Sequence, residues 1–201
     1  MSPACAILLP AAGASRRMRG GDKLLEQVAG RAVLRVVAKR ALSASPHVAV
    51  TLRPDDTARA NTLDGLALER LIVPDADEGM AASLRAGTRW AMALPVSALM
   101  IALPDMPDVT ATDMRALIAD QAHHPDRPLR ACDQTQTPGH PTILPRALFA
   151  TMLELSGDAG ARSLLHAHPP RLHPLPGNRA LADLDTPEDW AEWRARSHSG
   201  A

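Results

Sequence analysis

Aromatic residues and cysteines are scarce in this chain of 201 residues. Tyrosine is absent, and one phenylalanine and three tryptophans make up the aromatic complement. Because single-stranded nucleic acids are held largely by stacking on aromatic side chains, we expect no nucleic-acid partner. Cys5 and Cys132 are too few for a disulfide framework or a zinc site, which favours a reducing, cytoplasmic location.

The chain also lacks an excess of charge and any long apolar run. Lys and Arg together number 22, as do Asp and Glu, so the formal net charge is zero and any anion site must be local. No apolar run approaches the roughly 20 residues that span a bilayer. The N-terminal apolar run has no basic stretch before it and no spacer to a cleavage site. We therefore expect neither a signal peptide nor a membrane partner.

What the chain does contain is a regular alternation of apolar runs and helical patterns. Buried strands are predicted over residues 5–9, 47–52, 68–73 and 98–103, and helices over residues 33–42, 57–63, 80–94 and 114–122. Alternating strands and helices form parallel βαβ units, so we predict an α/β sandwich with a mostly parallel central sheet. In such a sheet, ligands bind at the carboxyl ends of the strands.

The pattern changes beyond the fourth helix, where five prolines divide the chain into short extended pieces. We interpret this part as an insertion that carries an antiparallel or edge strand, followed by a helix over residues 146–155. Residues 169–177 are again rich in proline. A closing helix is predicted over residues 187–196, with Thr186 as its N-cap and Pro187 at its first position.

The length of the chain favours one domain, because two domains of ordinary size would need more residues and an obvious linker. We assign residues 1–197 to this single domain. Residues 198–201 are predicted to form a frayed tail.

The most informative segment follows the first predicted strand. Residues 8–23 read LLPAAGASRRMRGGDK, an apolar strand that continues into a turn of small residues and clustered cations. Small side chains let backbone N–H groups approach an anion closely, so we predict a polyphosphate-binding loop. Its candidate binding residues are Ala11, Ala12, Gly13, Ala14 and Ser15, and its cations are Arg16, Arg17, Arg19 and Lys23.

Lys23 is one of only two lysines, the other being Lys39, in a chain with 22 Lys and Arg residues. An ammonium acts on phosphate as a compact point charge, whereas a guanidinium is a planar fork. The loop matches neither GxGxxG nor GxxxxGK[ST], so a Rossmann dinucleotide site is unsupported and a P-loop is excluded. The alternative is an ordinary connection from strand to helix with a solvated basic face.

Two acidic positions are candidate metal ligands. Asp105 lies just beyond the predicted strand 98–103, and a carboxylate near polyphosphate implies a bridging Mg²⁺. The alternative is that Asp105 only caps a turn shaped by two prolines. Asp185 precedes the closing helix and could reach the same cation. Glu188 and Asp189 lie in the first turn of that helix, where carboxylates complement its dipole.

Three further motifs contain polar residues of less specific meaning. Gly79 and Ser83 begin the helix after the third strand and could contact a nucleobase, although a simple loop-to-helix junction explains them equally well. His140 lies in a Gly-His-Pro piece, where an isolated histidine is more often a surface residue. Asp158 and Arg162 could form an anion cradle for a second substrate, although the segment alone would be an ordinary N-cap.

Five ordered motifs together resemble the molybdenum cofactor nucleotidyltransferases, in particular the MocA-like cytidylyltransferase branch with its MobA-like NTP transferase domain. The motifs are PAAGASRRM with Lys23 shortly after it, LPDMP at 103–107, GHP at 139–141, GDAGAR at 157–162 and DLDTPED at 183–189. They span nearly the whole chain. The resemblance implies the nucleotide-diphospho-sugar transferase fold, a Rossmann-like sandwich of three layers.

The resemblance also implies a Mg²⁺-dependent enzyme that transfers CMP from CTP to a molybdopterin-type cofactor and releases pyrophosphate. The loop backbone, Arg17 and Lys23 would then bind the triphosphate, while Asp105 and Asp185 hold the metal. Gly79 and Ser83 would lie near the base. The residues implied near the acceptor are His140, Asp158 and Arg162.

The chain departs from the family pattern at three points. Pro10 replaces a small or apolar residue, Arg19 stands where a glycine is expected, and LPDMP differs from the CDQP-like version of the cytidylyltransferases. Ala12 favours CTP, because the family's guanylyltransferases carry glycine there and a methyl group leaves less room for a purine.

Two other functions stay open. The same fold could use GTP, or transfer the nucleotide to another acceptor such as a sugar phosphate or a polyol phosphate. The second alternative is a non-catalytic chaperone that binds molybdenum cofactor for a recipient molybdoenzyme. The presence of Lys23, Asp105 and Asp185 speaks against the chaperone. A recipient molybdoenzyme is a further implied partner in either case.

Overall fold

The computed structural model describes residues 4–157 and 160–199. The strands are β1 (Ala4–Pro10), β2 (Gln27–Val28), β3 (Arg31–Ala32), β4 (Val48–Leu52), β5 (Glu69–Ile72), β6 (Val96–Ile101), β7 (Leu129–Cys132), β8 (Pro138–Pro145) and β9 (Arg171–Pro174). The helices are α1 (Val33–Ala44), α2 (Thr57–Thr62), α3 (Met80–Met92), α4 (Ala111–His123), α5 (Phe149–Leu153), α6 (Arg162–Ala167) and α7 (Pro187–Ser199). Short 3₁₀ turns cover Arg16–Met18, Lys23–Leu25, Ala76–Glu78 and Arg146–Leu148.

The main sheet of the described residues has seven strands in the order β5, β4, β1, β6, β8, β7, β9, and β2 pairs with β3 in a small hairpin. β1 is parallel to both β4 and β6, and β4 is parallel to β5. β8 is antiparallel to β6 and β7, while β9 is parallel to β7. The predicted α/β fold with a mostly parallel sheet is confirmed. The loops after β1, β4 and β6 therefore meet at one edge.

Helices cover both faces of the sheet, which gives three layers. Successive side chains of β1 point to opposite faces, so Ile7 and Leu9 pack with α1 and α4, while Ala6 and Leu8 pack with α3 and α5. All four side chains are fully buried, as expected for a parallel strand covered on two sides. Gly87 lets α3 lie close to the sheet, because a Cβ there would come within 2.2 Å of the Leu8 side chain.

The second half of the sheet differs in detail from the prediction. An antiparallel strand or an edge strand was predicted for this part of the chain. β8 is antiparallel, but it lies inside the sheet between β6 and β7. The edge strand is β9, in the segment 169–177 that we interpreted only as proline-rich. β9 has four residues and pairs only with β7, so it leaves no alternating apolar pattern in the sequence.

Two helices near the C-terminus also differ from their predicted bounds. The segment 146–155 divides into a 3₁₀ turn and the short helix α5. α7 continues to Ser199, so its backbone includes two residues of the predicted tail. Thr186 caps α7 as expected: its Oγ1 accepts from the Asp189 N–H at 3.2 Å, and its own N–H donates to Asp189 Oδ2 at 2.8 Å. Within the described ranges, no helix is long and apolar enough to cross a bilayer.

Candidate active site

The carboxyl ends of β1, β4 and β6 open into a first cavity of about 510 Å³. The loop after β1 forms one wall, and the start of α3 and the segments around the two candidate metal ligands form the others. The predicted site residues that line it are Ala12, Gly13, Ala14, Arg17, Lys23, Gly79, Ser83, Asp105 and Asp185. Nine residues chosen from separate motifs are therefore brought to one cavity.

Two predicted nucleotide-binding residues lie behind the loop instead. Ala11 is fully buried, and its backbone N–H donates to Thr51 Oγ1 at 3.1 Å, so that N–H is not available to an anion. Ser15 donates its hydroxyl to Asp22 Oδ1 at 3.0 Å and is not part of the cavity lining. The Ala11 N–H and the Ser15 hydroxyl are therefore already bonded within the protein. Both shape the loop from its inner side.

A buried arginine on α2 fixes the loop, and the sequence did not reveal it. Arg59 is only 3% exposed. Its Nη1 donates to the carbonyl oxygens of Ala11 and Gly13 at 2.5 and 2.8 Å, while Nε and Nη2 each donate to the Asp22 carboxylate at 2.8 Å. Because these two carbonyls point towards Arg59, the loop cannot turn them to the cavity. Burial raises the pKa of Asp22, but Arg59, the Leu24 N–H and the Ser15 hydroxyl together outweigh this effect, and the pKa is lowered.

Lys23 joins the two candidate metal ligands. Its ammonium donates to Asp185 Oδ1 at 2.6 Å and also to Asp105 Oδ2. Arg17 donates to the other oxygen of Asp185. A cation thus already lies between the two carboxylates, directly beside the loop. This juxtaposition of Lys23, Asp105 and Asp185 follows from the fold, since their sequence positions are far apart.

Backbone contacts explain why the two acidic segments meet. The N–H of Leu184 donates to the carbonyl oxygen of Asp105 at 3.1 Å, which ties the segment before α7 to the loop after β6. Asp189 Oδ2 also accepts from the Asp185 N–H at 3.0 Å. Asp189 therefore holds Asp185 in place in addition to capping α7.

Burial sets the electrostatics of this group. Asp105 is 4% exposed, and burial raises the pKa of its carboxyl; the nearby Asp185 adds to the rise, while the Lys23 ammonium opposes it. Burial alone would lower the pKa of Lys23, but Asp105 and Asp185 together raise it. Lys23 therefore stays protonated, and its charge is held next to the cavity.

The donor set fits a hard divalent cation only in part. Asp105 Oδ1 is buried and has no hydrogen-bond partner, so it retains a free coordination position. Asp185 supplies a second carboxylate. No group of three or more His, Cys, Asp or Glu residues suited to a metal occurs in the part of the chain that the structure describes. A metal held by Asp105 and Asp185 would need its other ligands from water or from phosphate oxygens.

The opposite wall of the first cavity carries an ion pair that the sequence analysis missed. Arg53 Nε donates to the Ala12 carbonyl oxygen at 2.9 Å, and its Nη2 donates to Asp77 Oδ1 at 2.8 Å. Ser83 Oγ accepts from Thr51 Oγ1 at 3.1 Å. Ser83 is therefore linked to the back of the loop as well as to the cavity.

Two small residues shape the space between the loop and α3. Ala12 is 2% exposed, and its methyl group packs with Val73, Ala76 and Ala82. Gly79 has φ 97°, a backbone conformation that would be strained for a residue with a side chain. This conformation lets the chain turn into α3 beside the cavity. The Ala12 methyl therefore sets the spacing of loop and helix, and it does not project freely into the cavity.

Arg19 turns away from the predicted anion site. Its guanidinium pairs with Glu188, and both side chains are largely exposed. The dipole interpretation of Glu188 is thus only part of its role, because it also neutralises Arg19.

A second cavity of about 450 Å³ adjoins the first, and Met80 and Leu103 line both. His140 and Arg162, predicted near an acceptor, line this second cavity. Asp158, the third predicted acceptor residue, lies outside the described residues. Arg130 also lines this cavity. It was not predicted as a site residue, because the sequence around it contains no motif that marks it as functional.

His140 is held inside this cavity instead of at the surface. A Cβ at Gly139 would come within 1.8 Å of the Ala180 carbonyl oxygen, so only glycine fits there, and the same oxygen accepts from the His140 N–H at 2.8 Å. Burial, together with the charge of Arg130, lowers the pKa of His140 to about 4. His140 is therefore neutral near pH 7, and its Nδ1 is buried without a hydrogen-bond partner.

A loop of small residues, a lysine and two carboxylates at the edge of a parallel sheet, with a second cavity beside them, define a nucleotidyltransferase of the nucleotide-diphospho-sugar transferase fold. Residues 6–172 match the family model described as the MobA-like NTP transferase domain. The chain belongs to this family.

Two relatives and one solved structure illustrate the similarity. Molybdenum cofactor guanylyltransferase of Pseudomonas syringae pv. syringae (strain B728a) is 31% identical over 191 residues, which cover 92% of this chain and 90% of the relative. Nicotine blue oxidoreductase of Paenarthrobacter nicotinovorans is 30% identical over 170 residues, 81% of each chain. The structure of Rv0371c from Mycobacterium tuberculosis H37Rv has a TM-score of 0.81 at 25% identity, covering 96% of this chain and 98% of that one.

Proposed function

We propose that this nucleotidyltransferase moves CMP from CTP to the phosphate of a molybdopterin-type cofactor. An oxygen of the acceptor phosphate attacks the α-phosphorus of CTP, the bond from that phosphorus to the α,β-bridging oxygen breaks, and pyrophosphate leaves with that oxygen. The observation that carries the proposal is the meeting of Lys23, Asp105 and Asp185 beside the loop, next to an adjoining second cavity. Such reactions need charge neutralisation and positioning more than covalent help.

The proposed roles follow the two cavities. The backbone from Ala12 to Ala14, with Arg17 and Lys23, would bind the triphosphate, and Gly79 and Ser83 would lie near the base. Ala11 and Ser15 now have a supporting role. The acceptor would contact His140, Asp158 and Arg162.

Mg²⁺ is the proposed metal, held by Asp105 and Asp185. The free buried oxygen of Asp105 supports this, as does a solved structure of Rv0371c in complex with manganese. The ion would neutralise charge on the triphosphate. Lys23 now bonds both carboxylates, so a bound cation would compete with its ammonium for these oxygens.

The preference for CTP rests on the resemblance to the cytidylyltransferases and on Ala12. GTP is the alternative, since one relative is named a guanylyltransferase. Because the Ala12 methyl is packed between loop and α3, it would restrict a purine by fixing the distance between those two walls.

We further propose that the chain acts as one domain over residues 1–197 in the cytoplasm, where a recipient molybdoenzyme would receive the product. Both cysteines are free and buried, which agrees with a reducing compartment.

The test is release of pyrophosphate measured with each of the four NTPs, with and without molybdopterin and Mg²⁺. We expect release with CTP only when the cofactor and the metal are both present. Release with a sugar phosphate or a polyol phosphate in place of molybdopterin would favour the other acceptors. Cofactor binding without release would favour the chaperone. Because one relative is named an oxidoreductase, oxidation of NADPH is followed in parallel, and we expect none.

A further inference from the structure

The two cavities differ in their balance of charge. The first is lined by four basic residues and four acidic ones. These are Arg16, Arg17, Lys23, Arg53, Asp77, Asp105, Asp183 and Asp185. The second cavity is lined by Arg130 and Arg162, and no described residue of its lining is acidic. Two guanidinium groups that have no carboxylate beside them among the described lining residues favour the binding of an anion.

Arg130 is fixed so that part of its guanidinium stays unbonded. It lies on β7, is half-buried, and donates from Nε to the Gly139 carbonyl oxygen at 2.7 Å. Within the described residues, this is its only side-chain hydrogen bond, and it has no ion pair. Burial, and then the charge of Arg162, lowers the pKa of Arg130. Both arginines line the same cavity, so an anion bound there would relieve their mutual repulsion.

Thr142 provides a second and independent observation. It lies directly opposite Arg130 in the antiparallel register of β7 and β8, so the two side chains are neighbours on one face of the sheet. Thr142 is 1% exposed, lines the second cavity, and its Oγ1 has no hydrogen-bond partner. His140, two residues earlier on β8, also leaves Nδ1 unpartnered on the same cavity. A buried unsatisfied hydroxyl is costly unless a ligand pairs with it.

We infer that Arg130 and Thr142, together with Arg162, bind the phosphate monoester of the acceptor in the second cavity. This inference rests on the proposed function and adds two residues that the motifs do not contain. The apolar walls from Leu84, Ile101 and Leu165 would face the organic part of the same molecule. The acceptor class is thus a phosphate monoester on a largely apolar group, bound with its phosphate towards the arginines.

The test is titration of phenyl phosphate into the full chain by isothermal titration calorimetry, with no nucleotide present. We expect Arg130→Gln to weaken binding by roughly tenfold or more, as loss of a charge-assisted contact does. Thr142→Val should also weaken binding, while the midpoint of urea unfolding stays the same or rises, because the lost hydroxyl has no partner. Arg127→Gln makes the same charge change at an exposed position outside both cavities and should bind like the wild type.

Three results would overturn the inference. They are no binding of phenyl phosphate to the wild type, binding as tight as that of the wild type in both Arg130→Gln and Thr142→Val, or a loss of binding in Arg17→Gln but not in Arg130→Gln. If Arg130→Gln does not fold, Thr142→Val still decides the question. The titration involves neither nucleotide nor turnover. Its outcome is therefore separate from pyrophosphate release, on which the proposed function depends.

Discussion

At the scale of single residues, Lys23 joins the loop to both acidic segments, and its removal is the sharpest test of the first cavity. Lys23→Ala should reduce turnover by at least a hundredfold, about 3 kcal/mol of transition-state stabilisation, because the charge beside the triphosphate is lost. Steady-state pyrophosphate release measures this. Lys39→Ala removes the only other lysine, which is exposed on α1, and is the matched control. Near-normal turnover of Lys23→Ala would remove it from the mechanism.

Ala12 tests the choice of base. Ala12→Gly should improve the use of GTP relative to CTP, because loss of the packed methyl loosens the contact between the loop and α3 and lets the loop adjust around a purine. The ratio of kcat/KM values for the two nucleotides measures the effect. An unchanged ratio would mean that other residues select the base.

His140 predicts how stability depends on pH. Its pKa is lowered from 6.5 to about 4, so the unfolded chain takes up a proton below about pH 6.5 while the folded chain does not. The free energy of unfolding should therefore fall, by on the order of 2 kcal/mol from this group, as the pH drops from about 6.5 to about 4.

Urea titrations at pH 7 and pH 4.5 measure this effect. His140→Gln cannot take up the proton and should lose less stability than the wild type over this interval. His123→Gln, at an exposed position of α4, controls for the removal of an imidazole. Equal losses in the wild type and His140→Gln would show that His140 is not held neutral by burial.

The residues that line the first cavity were easier to predict from the sequence than the residues that hold them in place. Lys23 and Asp105 were found because their motifs follow the ends of strands, and parallel strands bring such ends together. Asp185 was found because it directly precedes the closing helix. Arg59 was missed because, within a short helical pattern, a buried arginine looks like any solvated one. Ala11 was assigned to the nucleotide because nothing in a run of small residues shows which N–H groups the fold already uses.

At the scale of elements, α2 is short, yet it carries Arg59, whose hydrogen bonds hold the loop after β1 in place. Arg59→Met should lower the free energy of unfolding by about 3 kcal/mol, since it leaves the Asp22 carboxylate and two loop carbonyls without their partner. It should also raise the Kd for CTP. Arg59→Lys should recover part of the stability but not the loop, because an ammonium lacks the planar fork.

Urea unfolding and calorimetric titration with CTP measure the two effects. Arg70→Met, which breaks an exposed pair with Asp64, should cost only about 0–1 kcal/mol and leave CTP binding unchanged. If Arg59→Met behaves like Arg70→Met, α2 does not hold the loop.

The elements of the first half of the chain were predictable, and those of the second half less so. β1, β4 and β6 are almost entirely apolar, as expected for strands whose two faces are both covered by helices. β9 was missed because its few residues are half-buried or exposed at the sheet edge, so no run of apolar residues marks it. β8 lies inside the sheet because it pairs with the distant strand β6 as well as with β7, which directly precedes it, and a local pattern does not encode the pairing with β6.

At the scale of the whole molecule, the chain has no net charge, but its two cavities differ in the charges that line them. The first cavity balances cations with carboxylates, which would suit the proposed metal and triphosphate. The second keeps two arginines without a described acidic neighbour. Met80 and Leu103 lie between the two cavities, so two anionic substrates could be bound side by side. Because the chain has no net charge, it would not strongly attract other polyanions.

The most direct test of the account follows the fate of the α-phosphorus. CTP labelled at that atom is incubated with the chain, molybdopterin and Mg²⁺, and the products are separated. We predict that the label is recovered in a cytosine dinucleotide form of the cofactor and that the pyrophosphate is unlabelled. Transfer from labelled GTP alone would change the base but keep the reaction. Label found only in CMP, or remaining in the nucleotides, would contradict nucleotidyl transfer between the two cavities.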